Sequence, residues 1–412
     1  MTTARYGNAQ SSAATLILGL FALRWIAGIA ENFGVPAFSQ VAALLMLGGV
    51  MVLFLARMRI NAQASLLVAG LAAWIFSGSL ALVANPGIDL RPTVALLSLL
   101  ALYAGFANAS LTHLRGPRTR KAQYRLLAAF LVVGFFLSVY QLMTGTGFVE
   151  HGRATIQRAF GSDVHPVSFA IQVLAAMVTL EILRLRLRMP AGRLHLLTLA
   201  AGLVALYLTY ARTAWVMALI VLAGALLFRG SPARRALTGL SAIAAGVMFL
   251  TFSDRFSDLA SLPTFLANFS AQDAVFDWRF VDNSISWRIV NWNLGFTQGL
   301  ERPLFGFGPG QSANSSYFSL EMHNILLEAF FEGGVVGLCA LLLTLAGFVR
   351  LHRSLPRTSP EDGHIRVLAN GFGLALLMAV MFSTSFVDQL MSFLIYILLL
   401  TAAAAPTSDQ ER

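Results

Sequence analysis

The chain has 412 residues, 57% of them hydrophobic and only 12% charged, with a mean hydropathy of +0.71. That balance lies outside the range of soluble domains and reads as an all-α polytopic membrane protein. A net charge of +10 would suit a polynucleotide, but the arginines sit in short loops between apolar runs. Membrane topology and contact with anionic membrane lipids account for them there, so no nucleic-acid partner is expected.

Apolar runs long enough to cross a hydrocarbon core predict about 12 transmembrane helices, near residues 13–31, 37–56, 62–84, 93–112, 126–143, 164–183, 194–210, 213–228, 236–252, 323–349, 366–384 and 388–405. The first run contains Arg24 and is long for a signal-peptide core, so an uncleaved span is expected. Basic runs at Arg57 to Arg59, His113 to Arg125, Arg184 to Arg188, Arg229 to Arg235 and Arg350 to Arg366 fall in alternate loops. Their positions put those loops, and both termini, in the cytoplasm. Three parts follow: N-terminal spans in 1–193, a core in 194–349 that includes a large outer loop at 253–322, and two last spans with a cytoplasmic tail in 350–412. Cys339, the single cysteine, falls inside an apolar span; it cannot form an intrachain disulfide and is expected to pack.

Arginines are sparse on the outer side, which makes each one informative: Arg91, Arg153, Arg158, Arg212, Arg255, Arg279, Arg288 and Arg302. Arg212 stands in YARTAW, a turn of a few residues between two spans, where a guanidinium needs an anion or carbonyls around it. It is either a snorkelling arginine at a helix end or a ligand for a lipid phosphate. The outer loop is rich in aromatic residues and is expected to be ordered. Asn283 or Ser284 can cap a helix with Trp287, Val290 and Leu294 on its apolar stripe, lying along the membrane surface. Arg288 sits beside that stripe, facing either solvent or the same surface. The stretch Pro303 to Gly310 (PLFGFGPG) reads as a tight turn rather than a phosphate cradle.

His323 occurs in EMHNILLE, where the outer loop ends and a long apolar span begins. A histidine there serves as an interfacial anchor or as a general base, and nearby Glu321, Asn324 and the outer arginines favour the base. The outer histidines His151, His165 and His323 form no HExxH or similar spacing, so neither a metal nor another cofactor is expected. No GxSxG motif marks a serine hydrolase.

Four pieces in order, TYARTAW, SWRIVNWNLG, ERPLFGFGPG and MHNILLEAFFEGGVVG, resemble the O-antigen ligase and polymerase superfamily over residues 194 to 349. RAFGSDVHPVSFA, Arg158 to Ala170, is similar to a segment that opens a span in the same proteins. The first five spans carry no such motif. The resemblance implies a membrane glycosyltransferase (GT-C-like) fold in a bacterial inner membrane, with the large loop in the periplasm. It implies metal-independent, inverting transfer of a glycan from an undecaprenyl-diphosphate-linked donor to an acceptor hydroxyl, on lipid A core or on another glycan. Arg212 and Arg288 match the family's diphosphate-contacting arginines, and His323 its proposed catalytic histidine. Arg158, Arg153, Arg279, Glu321 and Asn324 are secondary candidates, with structural roles the simpler reading. A polymerase joining lipid-linked repeats stands beside the ligase, and a lipid-linked saccharide flippase or a scaffold remains from other classes.

Overall fold

The structure is a computed structural model, describing residues 2–57, 60–85, 87–149, 157–229, 263–264, 267, 286–312, 321–382 and 390–404. Its helices are α1 (Thr2–Asn32), α2 (Pro36–Arg57), α3 (Ser65–Ala84), α4 (Leu90–His113), α5 (Pro117–Thr144), α6 (Pro166–Arg186), α7 (Arg193–Leu208), α8 (Arg212–Arg229), α9 (Ser286–Gly299), α10 (Ile325–Arg353), α11 (Pro360–Phe382) and α12 (Leu390–Ala403). Among the described residues, eight helices are long and apolar enough to cross a membrane (α1 to α6, α10 and α11), while α7, α8 and α12 hold shorter apolar stretches. Eleven of the expected spans therefore overlap a described helix; the one near 236–252 lies outside the described residues, as does most of the 253–322 loop. The all-α expectation needs one amendment. Phe148–Val149 (β1) and Gln157–Arg158 (β2) form a small antiparallel ribbon, with Phe148 opposite Arg158.

Helix boundaries follow local chemistry. Proline opens α5 and α6 at the first turn, where a missing N–H costs nothing, and Gly145 closes α5 in the left-handed conformation at φ 71°. Asp89 caps α4 by accepting from the Arg91 N–H at 2.9 Å.

The core is built around α12, every residue of which is buried. Tyr103 of α4 stacks on Phe393 at 3.9 Å, and α6, buried along most of its length, forms another wall. The last carbonyls of α12 are received by two arginines of the basic end: Arg120 donates to Ala404 O at 2.7 Å, and Arg186 to Ala403 O at 2.6 Å while pairing with Asp362. These cations satisfy a helix C-terminus, a structural role beyond topology. Cys339 differs from expectation: it is exposed on the flank of α10.

The helix α10 is broken. Gly334 has φ 61° and ψ −155° inside it, so the chain bends sharply and leaves carbonyls and N–H groups without helical partners. The segment 303–308 fills the break. Phe307 N donates to Phe331 O (2.9 Å) and Gly308 N to Glu332 O (2.8 Å), while Pro303 O accepts from Val335 N (2.8 Å). Unpaired backbone inside a membrane protein costs several kcal/mol per group, and this insertion removes that cost. The turn in turn rests on α3 and α4: Asn85 donates to Gly306 O, Arg302 donates to Asn85, and Thr93 donates to Pro309 O. These first spans, which carry no recognisable motif, thus hold the motif-bearing turn.

Candidate functional site

Residues 158–165 connect the parts of the site. Gln141 of α5 accepts from Phe160 N (3.0 Å) and Gly161 N (2.9 Å) and donates to Gly161 O, while Asn32 at the end of α1 donates to the same carbonyl. At one end of the segment, Arg158 Nε donates to Thr209 O at 3.0 Å and Ala159 N to Leu208 O at 3.0 Å, fixing the turn between α7 and α8. At the other, Asp163 Oδ1 accepts from Val164 N and His165 N, and Gln172 donates to Oδ2. Burial, the largest influence, raises the Asp163 carboxyl above its ordinary pKa against these bonds. His165 then caps α6, its Nδ1 accepting from Val167 N at 3.2 Å.

The turn held by Arg158 carries Arg212. Tyr210 adopts φ 48°, rare for a non-glycine residue, and Thr209 Oγ1 accepts from Ala211 N, so that Arg212 begins α8.

His323 is held just as firmly. On α9, Asn291 donates to Glu321 O (3.0 Å) and Trp292 Nε1 to Met322 O (2.7 Å). On its other side, Asn324 caps α10 by accepting from Leu326 N and Leu327 N, both at 3.1 Å. Between these clamps His323 has φ 51°, a conformation costing ~1–3 kcal/mol that only a determined neighbourhood sustains. The Trp287 ring meets the His323 ring edge-on at 5.1 Å between centroids, and the Arg288 guanidinium lies 5.3 Å from the same Trp287 centroid. The buried Nδ1 of His323 has no hydrogen-bond partner among the described residues.

Each central residue lies at the start of a helix: His165 caps α6, Arg212 opens α8, Arg288 is in the first turn of α9, and His323 immediately precedes the cap of α10. Helix N-termini carry partial positive charge and spare N–H groups, and α6, α8 and α9 have no acidic residue in the first turn. His323 responds to this setting. Its pKa is lowered from 6.5 to about 4, first by burial, then by Arg288 and His165, while a hydrogen bond to the Glu321 main chain works the other way. The imidazole is neutral at ordinary pH, able to accept a proton, and surrounded by groups that suit an anion.

The structure thus brings His323, Arg288 and His165 together and ties the Arg212 turn to them through residues 158–165. Arg158 acts there as a clamp on the turn, Asn324 as a helix cap, and Glu321 through its carbonyl. Arg153 and Arg279 lie outside the described residues. The α9 stripe differs from expectation: Ser286, Val290, Asn291, Gly295 and Gly299 are buried, while Trp287 and Leu294 are only partly so. Small residues let α9 pack closely, Gly299 against Phe330 and Phe331 of α10 and Gly295 against Met322 just before it, and that register turns Trp287 and Arg288 toward His323. Sequence reasoning weighed His165 only as a metal ligand and gave Asp163 and Gln141 no role; the order Asp-x-His-Pro before a span was a readable capping signal. Among the described residues, no three His, Cys, Asp or Glu side chains gather as metal ligands.

Residues 197–342 match the protein-family model described as O-Antigen ligase, about a third of the chain. A search of curated proteins finds no match.

Proposed function

We propose, on the match of residues 197–342 to the O-Antigen ligase family model, that the protein acts as an O-antigen ligase, transferring a glycan from undecaprenyl diphosphate to an acceptor hydroxyl, that of lipid A core, on the periplasmic side of the inner membrane. The observation that carries this reading is His323: a strained, half-buried, neutral imidazole whose buried Nδ1 has no hydrogen-bond partner among the described residues, beside Arg288 and among helix N-termini.

The acceptor oxygen attacks the anomeric carbon as the bond from that carbon to the diphosphate oxygen breaks. His323 takes the proton of the hydroxyl, and the electron pair of the broken bond leaves on the diphosphate, which Arg212 and Arg288 receive. Guanidinium forks suit phosphate oxygens, and the N-termini of α8 and α9 add dipoles that need no reorganisation as charge grows. Attack from the face opposite the leaving group inverts the anomeric centre. A positioned base contributes ~10²–10⁴ in rate and electrostatic stabilisation of the leaving group a comparable factor.

The test is transfer by the purified full chain from a lipid-diphosphate-linked glycan, compared with His323→Ala, with donor binding measured on both. Turnover is expected to vanish while donor affinity survives; a variant that still transfers, or one that loses donor, removes His323 as the base. Deletion of the gene separates ligase from polymerase: lipid-linked polymer accumulates beside bare core for a ligase, whereas core carries single repeats for a polymerase.

A further inference from the structure

A cavity of about 320 Å³ lies between α10, α11 and α12, its polar mouth at the basic end of the bundle. Leu341, Leu345, Phe348, Leu374 and Leu377 form much of its wall, and the mouth carries His352, Arg353, Arg366 and Asn370. Two features of that mouth point to a ligand. The Nε of Arg366 is buried and has no partner among the described residues, and no carboxylate is among the lining residues. His352 is already spent: one ring nitrogen meets Asn370 Oδ1 at 2.9 Å and the other the Tyr396 hydroxyl at 2.6 Å. With Nδ1 donating and Nε2 accepting, this arrangement uses the Asn370 oxygen and leaves its amide N–H groups for a visitor. The mouth therefore offers donors and cations only.

We propose that the groove binds one anionic glycerophospholipid, its phosphate at Arg353, Arg366 and Asn370 and one acyl chain along α10 and α11. From Arg353 to Leu341 the helix rises ~18 Å, about the depth of one leaflet of a ~30 Å core. A soluble anion has no use for such walls. A zwitterionic head would bring an ammonium to a mouth that holds no carboxylate to receive it. The side is open to the surrounding lipid, since Val349 and Leu374 are about half exposed, so the chain enters laterally. Basic pockets between spans recognise acidic head groups by this chemistry. Ile325, which follows the Asn324 cap, lines the far end of the cavity, but the head-group residues Arg353, Arg366 and Asn370 are not those of the proposed transfer, so the inference stands whether or not that reaction is correct.

Native mass spectrometry of the purified full chain, titrated with phosphatidylglycerol and in parallel with phosphatidylcholine, tests the inference. Wild type is expected to retain one phosphatidylglycerol preferentially. Arg353→Gln with Arg366→Gln should weaken that binding by roughly tenfold or more, and Leu345→Trp should block it while both arginines remain. An unchanged melting temperature in detergent separates lost binding from lost folding. Equal retention of both lipids, or phosphatidylglycerol binding indifferent to the two arginines, overturns the proposal. Displacement of phosphatidylglycerol by polyprenyl phosphate regardless of the arginines would also overturn it, assigning the groove to a prenyl tail.

Discussion

Replacing Arg288 by glutamine should shift the acidity of His323 in a direction that a purely structural arginine would not. The His323 ring and the Arg288 guanidinium share Trp287, at 5.1 Å and 5.3 Å from its centre, so the charges lie no more than about 10 Å apart. At that separation and an effective dielectric of ~20–40, Coulomb's law gives ~0.8–1.7 kcal/mol, or roughly 0.6–1.2 pKa units. Burial remains in the variant, so the pKa is expected to rise from about 4 only to about 5. The assay is the pH dependence of kcat/KM, which reports ionisations of the free enzyme. Wild type should hold its activity down to about pH 4, Arg288→Gln should lose it near pH 5, and Arg288→Lys should keep the wild-type limb. A wild-type limb near 6.5, or one that Arg288→Gln leaves in place, refutes the argument.

The same shift links to fold stability. Below pH 6.5 the unfolded chain takes up a proton that folded His323 refuses until about pH 4. Stability therefore rises with pH across that window and is lost as the pH falls through it.

Two substitutions test the remainder. Arg212→Ala is expected to weaken donor affinity and turnover together, with Arg212→Lys restoring only part, because an ammonium lacks the bidentate fork; unchanged affinity for the lipid diphosphate in Arg212→Ala removes the phosphate assignment. Gly334→Ala should lower the melting temperature sharply or prevent folding, since its Cβ would stand 2.3 Å from the Leu304 carbonyl carbon at a φ that only glycine adopts readily; a melting temperature equal to wild type would show that the helix break is not needed.

What the sequence made legible was whatever depends on runs and order. Spans are long, apolar and bounded by basic loops, so eleven of them met helices. Arg212 stood out because an arginine between two close spans is costly without a partner. Register was harder to see. Trp287 and Leu294 look like the buried stripe of α9 until Gly299 is known to pack on α10 and Gly295 on Met322, since close packing on small residues leaves no hydrophobic signal. The role of PLFGFGPG was hidden because a turn motif does not reveal which broken helix it repairs. Asn85 and Thr93, ordinary polar residues near the ends of apolar helices, take their meaning only from a turn more than two hundred residues away.

The site also sets an order of events. With its pKa near 4, His323 in the empty enzyme is a weak base, well below the pH at which proton transfer is best driven. A bound diphosphate reverses the local field, because negative charge near an imidazole favours the protonated form. It offsets Arg288, His165 and the helix N-termini at once, and so raises the basicity of His323 only after the donor is in place. The acid limb of kcat, which reports the loaded enzyme, should therefore lie at higher pH than that of kcat/KM. Arg288→Gln should raise both limbs while leaving them apart, since their separation reflects the interaction of the diphosphate itself with the imidazole. Coincident limbs in wild type would mean that the diphosphate sits too far from His323 to influence it, and the arginines and the histidine would then have to serve separate sites.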